Sequence, residues 1–339
     1  MTDKYNLKDR HICYLPFIRL NIKKHDGLFP CCLHWIENKS RVEEYREPDV
    51  NKFDTYFQSE KAREFRKKIL NHDFSHCLNC PNFIQRDERF FTAKNCVDHF
   101  GEYGQKIVDA FETGDFSEPY PYRFEVAYDI SCNLSCITCR DDVITKVDIP
   151  KEFNDKVIEY AKHCHSLNIA GDGEALFSKN YMSILSSDLS GHELKEIMLM
   201  TNAILLPKQW NKIHPNTRKL IKSIKISIDA SSKELFETIR KGAKWEMLLE
   251  SLEFLKNLHD TDGIELETTY TISKYNYKDI INFPAFIEPY NFSAIIFNFA
   301  DTEFRLNEFM NGIELDHETK EEILTIIEIL KKTSKINIY

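Results

Sequence analysis

The stretch Asp129-Ile130-Ser131-Cys132-Asn133-Leu134-Ser135-Cys136-Ile137-Thr138-Cys139 closes an apolar run from Phe124 to Ile130 and sets three thiols with three, then two, residues between them. Three thiolates so close in sequence can hold three corners of a four-iron cluster, leaving the fourth iron to a ligand that is not protein. The same thiols could also serve a structural zinc, although closed zinc sites take four protein ligands, usually as paired knuckles. No fourth Cys or His follows closely, because His163 and His165 lie more than twenty residues on, across a predicted helix.

Outward from this loop, apolar strand-like runs alternate with amphipathic helical ones. The rhythm predicts strands at 123–129, 167–170, 196–201, 223–229, 264–272 and 293–299, with helices at 151–164, 179–185, 232–258, 277–287 and 317–331. Parallel strands joined by right-handed crossovers place every carboxyl end on one face, where such folds do their chemistry. The cysteine loop, Glu174, Asn202 and Asp229 all fall at predicted strand ends.

Three further motifs follow the loop. They are Ala170-Gly171-Asp172-Gly173-Glu174-Ala175-Leu176, Met200-Thr201-Asn202 and Ser227-Ile228-Asp229, each after a predicted strand. In this order they resemble the radical SAM superfamily, whose CxxxCxxC loop follows the first barrel strand. The resemblance implies an α/β fold, a partial (β/α)6 TIM-like barrel of radical SAM type over residues 121–339. It implies a 4Fe-4S cluster on Cys132, Cys136 and Cys139, with S-adenosylmethionine (SAM) among Gly171, Gly173, Glu174, Asn202 and Ser227. Glu174 would accept from the ammonium of SAM, and glycine lets backbone approach a ligand closely. The implied reaction is reductive cleavage of SAM to a 5'-deoxyadenosyl radical that abstracts a substrate hydrogen.

Asp229 is the candidate catalytic residue, with an N-cap on the helix starting near Ser232 as its alternative. Arg240-Lys241-Gly242 also resembles a family feature, the end of the helix after the fourth strand, and reads preferably as a glycine C-cap with basic side chains set against the helix dipole. Thr138 departs from the family, which often carries an aromatic residue before the third cysteine.

The amino-terminal part holds a second constellation: Cys13, then Gly27-Leu28-Phe29-Pro30-Cys31-Cys32, then Cys77-Leu78-Asn79-Cys80, and Cys96. Four thiolates suit zinc and iron–sulfur clusters alike. The pattern resembles a SPASM or twitch module, here at residues 1–120 and ahead of the barrel. That resemblance implies one auxiliary 4Fe-4S cluster on Cys13, Cys31, Cys77 and Cys80, with Cys32 the alternative to Cys31. Cys96 is a spare thiol, a further ligand or a chemical participant. A helix is predicted at 59–70 and a turn at 73–76. The aromatic-rich segment 83–121 either shapes a substrate entrance or packs as a linker.

With 339 residues, 42% of them apolar, the chain can bury a large core. Its net charge of -9 gives no global field that would recruit nucleic acid. No apolar run approaches the roughly eighteen residues that span a bilayer, and the expectation is a cytoplasmic protein without a membrane partner. Nine of the ten cysteines precede residue 140, and their clustering favours metal ligation over disulfides. The basic run Lys61 to Lys68 reads as the wet face of a helix. Cys164 reads as a buried inert thiol, and His163 and His165 as helix-end residues in solvent.

The expected partners are a peptide or small-molecule substrate and an external electron donor such as flavodoxin or ferredoxin. Relatives with auxiliary modules modify peptides, by epimerisation, crosslinking or oxidation, or dehydrogenate sugars and aminocyclitols. No leader-peptide-binding domain is recognisable before Cys13, which weighs against a peptide. A reading of another class is a zinc-stabilised, non-catalytic binding protein.

Overall fold

The computed structural model describes residues 13–23, 27–29, 31, 45–77, 92–169, 173–300, 313 and 315–339. Of the expected site residues, Cys32, Cys80 and Gly171 lie outside them. The fold is mixed α/β, and the described residues form a nine-stranded sheet in the order β2-β1-β3-β4-β5-β6-β7-β8-β9. The strands are β1 (Arg19–Lys23), β2 (Gly27–Phe29), β3 (Arg123–Ala127), β4 (Ser166–Ile169), β5 (Glu196–Thr201), β6 (Ile221–Ser227), β7 (Glu265–Ile272), β8 (Ala294–Phe299) and β9 (Asn337–Ile338). Six of these answer the six predicted strands, with ends moved by up to two residues. β1, β2 and β9 were not anticipated, being too short to show a period.

The chain divides into two compact units, the first made of Met1–Tyr128, Glu159–Leu167 and His192–Leu194. In it β1 runs parallel to β3, Arg19 opposite Arg123, and antiparallel to β2. Glu125 on β3 fixes that register, because its buried carboxylate accepts from Arg19 Nε at 2.7 Å and Asn21 Nδ2 at 3.1 Å across the pair.

Helix α1 (Glu60–Leu70) starts at Ser59, whose hydroxyl accepts from the Ala62 N–H, and buries Ala62, Phe65, Ile69 and Leu70. Arg66 departs from the expected wet face. It is 2% exposed, donates to the Phe57 carbonyl at 2.5 Å and lies over the rings of Phe57 and Phe116.

Helix α2 (Ala93–Thr113) is capped by Thr92, bends at Gly101 and stops at Gly114, whose φ of 77° suits glycine. Cys96, Ile107, Val108 and Ala110 on it enter the unit's core, so this part of the aromatic-rich segment packs rather than lines an entrance. Past helix α3 (Lys151–Lys162), Cys164 is fully buried and its thiol donates to the Tyr160 carbonyl at 3.6 Å. His163 and His165 do not simply face solvent; their rings stack on Tyr120 and Tyr122 at 4.5 and 4.3 Å.

The second unit is Asp129–Ile158, Asn168–Gly191 and Lys195–Tyr339. Strands β5 to β9 pair in parallel throughout. The alternation along β5, Glu196-Ile197-Met198-Leu199-Met200-Thr201, buries every second side chain, as a strand with one better-covered face requires. Helix α4 (Lys179–Leu185) occupies its predicted residues, with Ser178 as N-cap. The single helix expected at 232–258 is two, α5 (Lys233–Ile239) and α6 (Trp245–Asp262), broken at Gly242, where φ is 97°. The segment 277–287 is a 3-10 turn followed by a short helix, Phe283–Ile287. Helix α7 (His317–Thr333) follows an Asp316 cap. Among the described residues no helix is long and apolar enough to cross a membrane.

Candidate active site around the cysteine loop

Everything described in this site belongs to the second unit. Asp129, two residues past the end of β3 and 1% exposed, organises the start of the loop. One carboxylate oxygen accepts from the Ser131 N–H and hydroxyl at 2.8 and 2.6 Å. The other accepts from Ser178 Oγ and Asn180 Nδ2 at 2.5 and 2.6 Å, tying the loop to the start of α4. A strand-end Asp is common in sequence, so this role had no signal of its own.

Each loop thiol faces at least one N–H donor. Cys132 Sγ receives the Leu134 N–H at 3.5 Å and has Asn202 Nδ2 at 4.0 Å. Cys136 Sγ faces Arg240 Nη1 at 3.7 Å, and Cys139 Sγ faces Arg140 Nε and Nη2 at 3.4 and 3.5 Å. Burial pushes the Cys132 thiol up to about 11 and raises Cys136 as well. Thiols in this setting need a cationic partner to be held as thiolates, and metal ligation supplies one. Among the described residues no group of three or more Cys, His, Asp or Glu is placed to hold a metal ion. Cluster thiolates sit on separate irons, so the loop sulfurs need not converge on a single ion.

Helix α5 clamps the loop from its carboxyl end. The Ser135 N–H donates to the Lys241 carbonyl and the Ile137 N–H to the Ile239 carbonyl, both at 3.0 Å. Gly242 lies against Asn133 and Leu134. Arg240 is therefore no solvent-facing dipole partner. It is 8% exposed, with Nη2 at 2.5 Å from Asp229 Oδ2, Nη1 toward Cys136, and Nε buried with no acceptor. Burial alone would lower its pKa, but the Asp229 carboxylate and the Cys136 sulfur outweigh that and hold it above its ordinary value.

Asp229 does not cap α5 either. Fully buried at a φ of 66°, it accepts from the Thr271 N–H at 2.7 Å and pairs with Arg240. The left-handed conformation is tolerated better by Asp than by most residues, and such strain gathers at functional sites.

Glu174 is 2% exposed and already well occupied. Oε1 accepts from Thr201 Oγ1 at 2.5 Å and the Leu176 N–H at 3.1 Å, and Oε2 from the Asn202 N–H at 2.6 Å. Burial raises its pKa against those three donors. Its visible work is to hold the end of β5; a further acceptor direction remains on Oε2. Asn202 donates from Nδ2 to Asn133 Oδ1 at 3.0 Å, which joins the β5 end to the cysteine loop. Ser227 accepts from Thr269 Oγ1 at 3.0 Å, on the neighbouring strand.

Gly173 is required for a reason other than ligand approach. A Cβ there would lie 2.3 Å from the Asp129 carbonyl oxygen and 2.6 Å from that of Ser131. The Glu174 N–H donates to the Ser131 carbonyl at 2.8 Å, so the second motif packs directly on the first. The geometry thus brings Gly173, Glu174, Asn202 and Asp229 to the cysteine loop, while Ser227 pairs with β7. It also brings Asp129, Arg140 and Arg240, which sequence reasoning missed. Only Arg240 carried a signal, as part of a motif read for its glycine.

The residues fit a cluster on this loop: three closely spaced thiols, an N–H donor on each, and one buried guanidinium N–H without an acceptor. No protein-family model matches the chain, and no curated protein does. Several solved structures are similar in backbone. Streptococcus suis SuiB bound to S-adenosylmethionine is 13% identical over 86% of this chain and 65% of its own, with a TM-score of 0.47. Histidine-tagged anSMEcpe with bound AdoMet is 16% identical over 64% of this chain and 62% of its own, TM-score 0.48. Methylornithine synthase (PylB) is 13% identical over 71% and 72%, TM-score 0.43. The chain spans less than two thirds of the first two structures. Likeness at this level carries no argument about chemistry, which rests on the chain's own residues.

Proposed function

We propose that the chain is a radical SAM enzyme whose SAM-binding 4Fe-4S cluster is held by Cys132, Cys136 and Cys139. The observation that carries this reading is the donor on every loop thiol, because N–H groups aimed at sulfur favour thiolate and tune a bound cluster. When bound, the cluster would supply the single electron that splits SAM into methionine and a 5'-deoxyadenosyl radical, which takes a hydrogen atom from substrate.

The chain's own part is position and exclusion. Asp129 and the α5 end hold the loop; Glu174 holds the β5 end beside it; the burial of Cys132, Cys136, Glu174 and Asp229 keeps water from the first two thiols. Asn202, Ser227, Gly171 and Gly173 are proposed to face SAM, Ser227 with the hydroxyl hydrogen left over from its bond with Thr269 and Glu174 on the ammonium. The fold proposed around them is a partial barrel.

A second cluster is proposed on Cys13, Cys31, Cys77 and Cys80 in a SPASM or twitch-like module. The reading is supported by Cys77 lying in the first unit's apolar cluster and Cys13 and Cys31 packing against it. The substrate proposed is a peptide, the class that relatives with such modules modify, with a sugar or aminocyclitol as the alternative. An external flavodoxin or ferredoxin would deliver the electron.

Anaerobic purification with metal analysis tests the reading. A brown protein with about eight irons is expected from two four-iron clusters. Cys136→Ala is expected to abolish dithionite-dependent 5'-deoxyadenosine. A colourless protein holding zinc overturns it in favour of a zinc-stabilised binding protein, and unimpaired 5'-deoxyadenosine formation by Cys136→Ala overturns the role given to the loop.

A further inference from the structure

Arg240 and Asp229 form a buried pair that ends on a cluster thiol. The guanidinium spans the two, with Nη2 at 2.5 Å from Asp229 Oδ2 and Nη1 at 3.7 Å from Cys136 Sγ. Neither partner can relax into solvent, since Arg240 is 8% exposed and Asp229 fully buried. The geometry is held from both sides. The Ser135 and Ile137 N–H groups lock the loop to the carbonyls of Lys241 and Ile239, which flank Arg240 in sequence. Asp229 is fixed in turn by the Thr271 N–H on its carboxylate and by Asn276 Nδ2 on its carbonyl at 3.0 Å.

A buried ion pair of this kind is a poor device for stability, because desolvating both charges cancels most of their attraction. Something other than stability better accounts for its place against a ligand sulfur. A positive charge with an N–H aimed at a cluster thiolate stabilises the more negative, reduced state, since net charge and hydrogen bonds to sulfur set cluster potentials. A carboxylate behind that charge offsets part of the field. Asp229 and Arg240 therefore act on the same sulfur with opposite sign.

We propose that Arg240 is a positioning residue that orients Cys136 and raises the reduction potential of the loop's cluster, and that Asp229 moderates this effect and holds the guanidinium in place. The inference rests on the cluster reading given above. It assigns Asp229 an electrostatic role through Arg240 rather than one on substrate.

The test is a mediated redox titration of the reconstituted full chain, following the electron paramagnetic resonance signal of the reduced SAM cluster, with iron and sulfide measured on each sample. Arg240→Met is expected to keep its iron yet be harder to reduce. Its reduced-to-oxidised ratio at a fixed potential should fall at least tenfold, equivalent to about 59 mV for one electron. Asp229→Asn keeps an acceptor for the Thr271 N–H and is expected to move the ratio the other way. Arg240→Lys keeps the charge without the fork and should lie between wild type and Arg240→Met.

Wild-type potentials in iron-loaded Arg240→Met and Asp229→Asn, or shifts of one common sign, overturn the proposal. Should Arg240→Met fail to assemble, Arg240→Lys and Asp229→Asn still decide it by the direction of their shifts. A wild-type chain that takes up no iron sinks the cluster reading itself, an outcome distinct from loaded variants that do not move.

Discussion

In the second unit each thiol of the cysteine loop faces an N–H donor, two of them guanidinium groups, and in the first unit Cys13, Cys31, Cys77 and Cys96 share one apolar cluster. Cys77 and Cys96 are buried in an apolar cluster with Tyr14, Phe17, Tyr45 and Phe65, and Cys13 and Cys31 pack against it. Both settings can suit metal thiolates, by different physics. Donors lower the energy of negative sulfur directly, whereas an apolar wall disfavours a bare thiolate and makes its charge depend on the metal. The first arrangement suits a site that must accept an electron and open to a ligand. The second suits a site that is closed, or a set of thiols that only pack.

Removing one ligand from the first unit breaks the comparison most sharply. If Cys77 ligates an auxiliary cluster, Cys77→Ala should lose about four of about eight irons, because a four-iron cluster rarely survives without one of its thiolates. The loop cluster should keep its iron and its response to added SAM. Iron and sulfide analysis with spectroscopy of the reduced protein measures both. A variant with undiminished iron would leave the first unit's cysteines as packing residues.

How much of this was readable beforehand differs between the regions for the same physical reason. The spacing of Cys132, Cys136 and Cys139 is local, and the parallel strands that deliver Thr201, Ser227 and Asp229 announce themselves by period. Glu174 and Asn202 were legible as strand-end motif residues, although not the bond by which Oε2 accepts from the Asn202 N–H. Arg240 was legible as a C-cap or a family-like motif residue but not by its contacts, since its partners, Asp229 and Cys136, are eleven and 104 residues away. Ser227 was legible as a strand-end residue, although not its bond with Thr269, which is set by the pairing of β6 and β7. In the first unit, β1 and β2 are too short to show alternation, and Arg66 was hidden inside a run of charges that looked uniformly wet.

The second unit's compactness around the loop gives a smaller effect, measured in stability. Gly173→Ala puts a methyl group against the carbonyl oxygens of Asp129 and Ser131, which are backbone and cannot swing aside. Overpacking of this kind costs about 1–3 kcal/mol, so the midpoint of chemical denaturation should fall accordingly. The loop should also lose cluster occupancy, because the bond from the Glu174 N–H to the Ser131 carbonyl positions it. Wild-type stability together with wild-type iron would mean that the two motifs are not packed as closely as described.

The smallest effect sharpens the contrast in the first unit. Cys96 is fully buried, its thiol donates to the Gly104 carbonyl at 3.7 Å, and burial pushes its pKa up to about 12. A thiol so placed is a packing group and a poor nucleophile, since the thiolate is the reactive form. In the folded chain at pH 8, iodoacetamide should leave Cys96 unmodified, and in denaturant it should be labelled readily. Cys96→Ala should cost about 1 kcal/mol, the scale of one buried methylene-sized group, with iron content unchanged. The pH dependence has a definite sign. The folded state holds the Cys96 proton more tightly than the unfolded chain, so the stability this contributes is full below pH 9 and is lost as pH rises toward 12, and Cys96→Ala should remove that part of the decline. Rapid labelling of Cys96 in the native protein, or a loss of iron in Cys96→Ala, would move this residue from the core to the metal site.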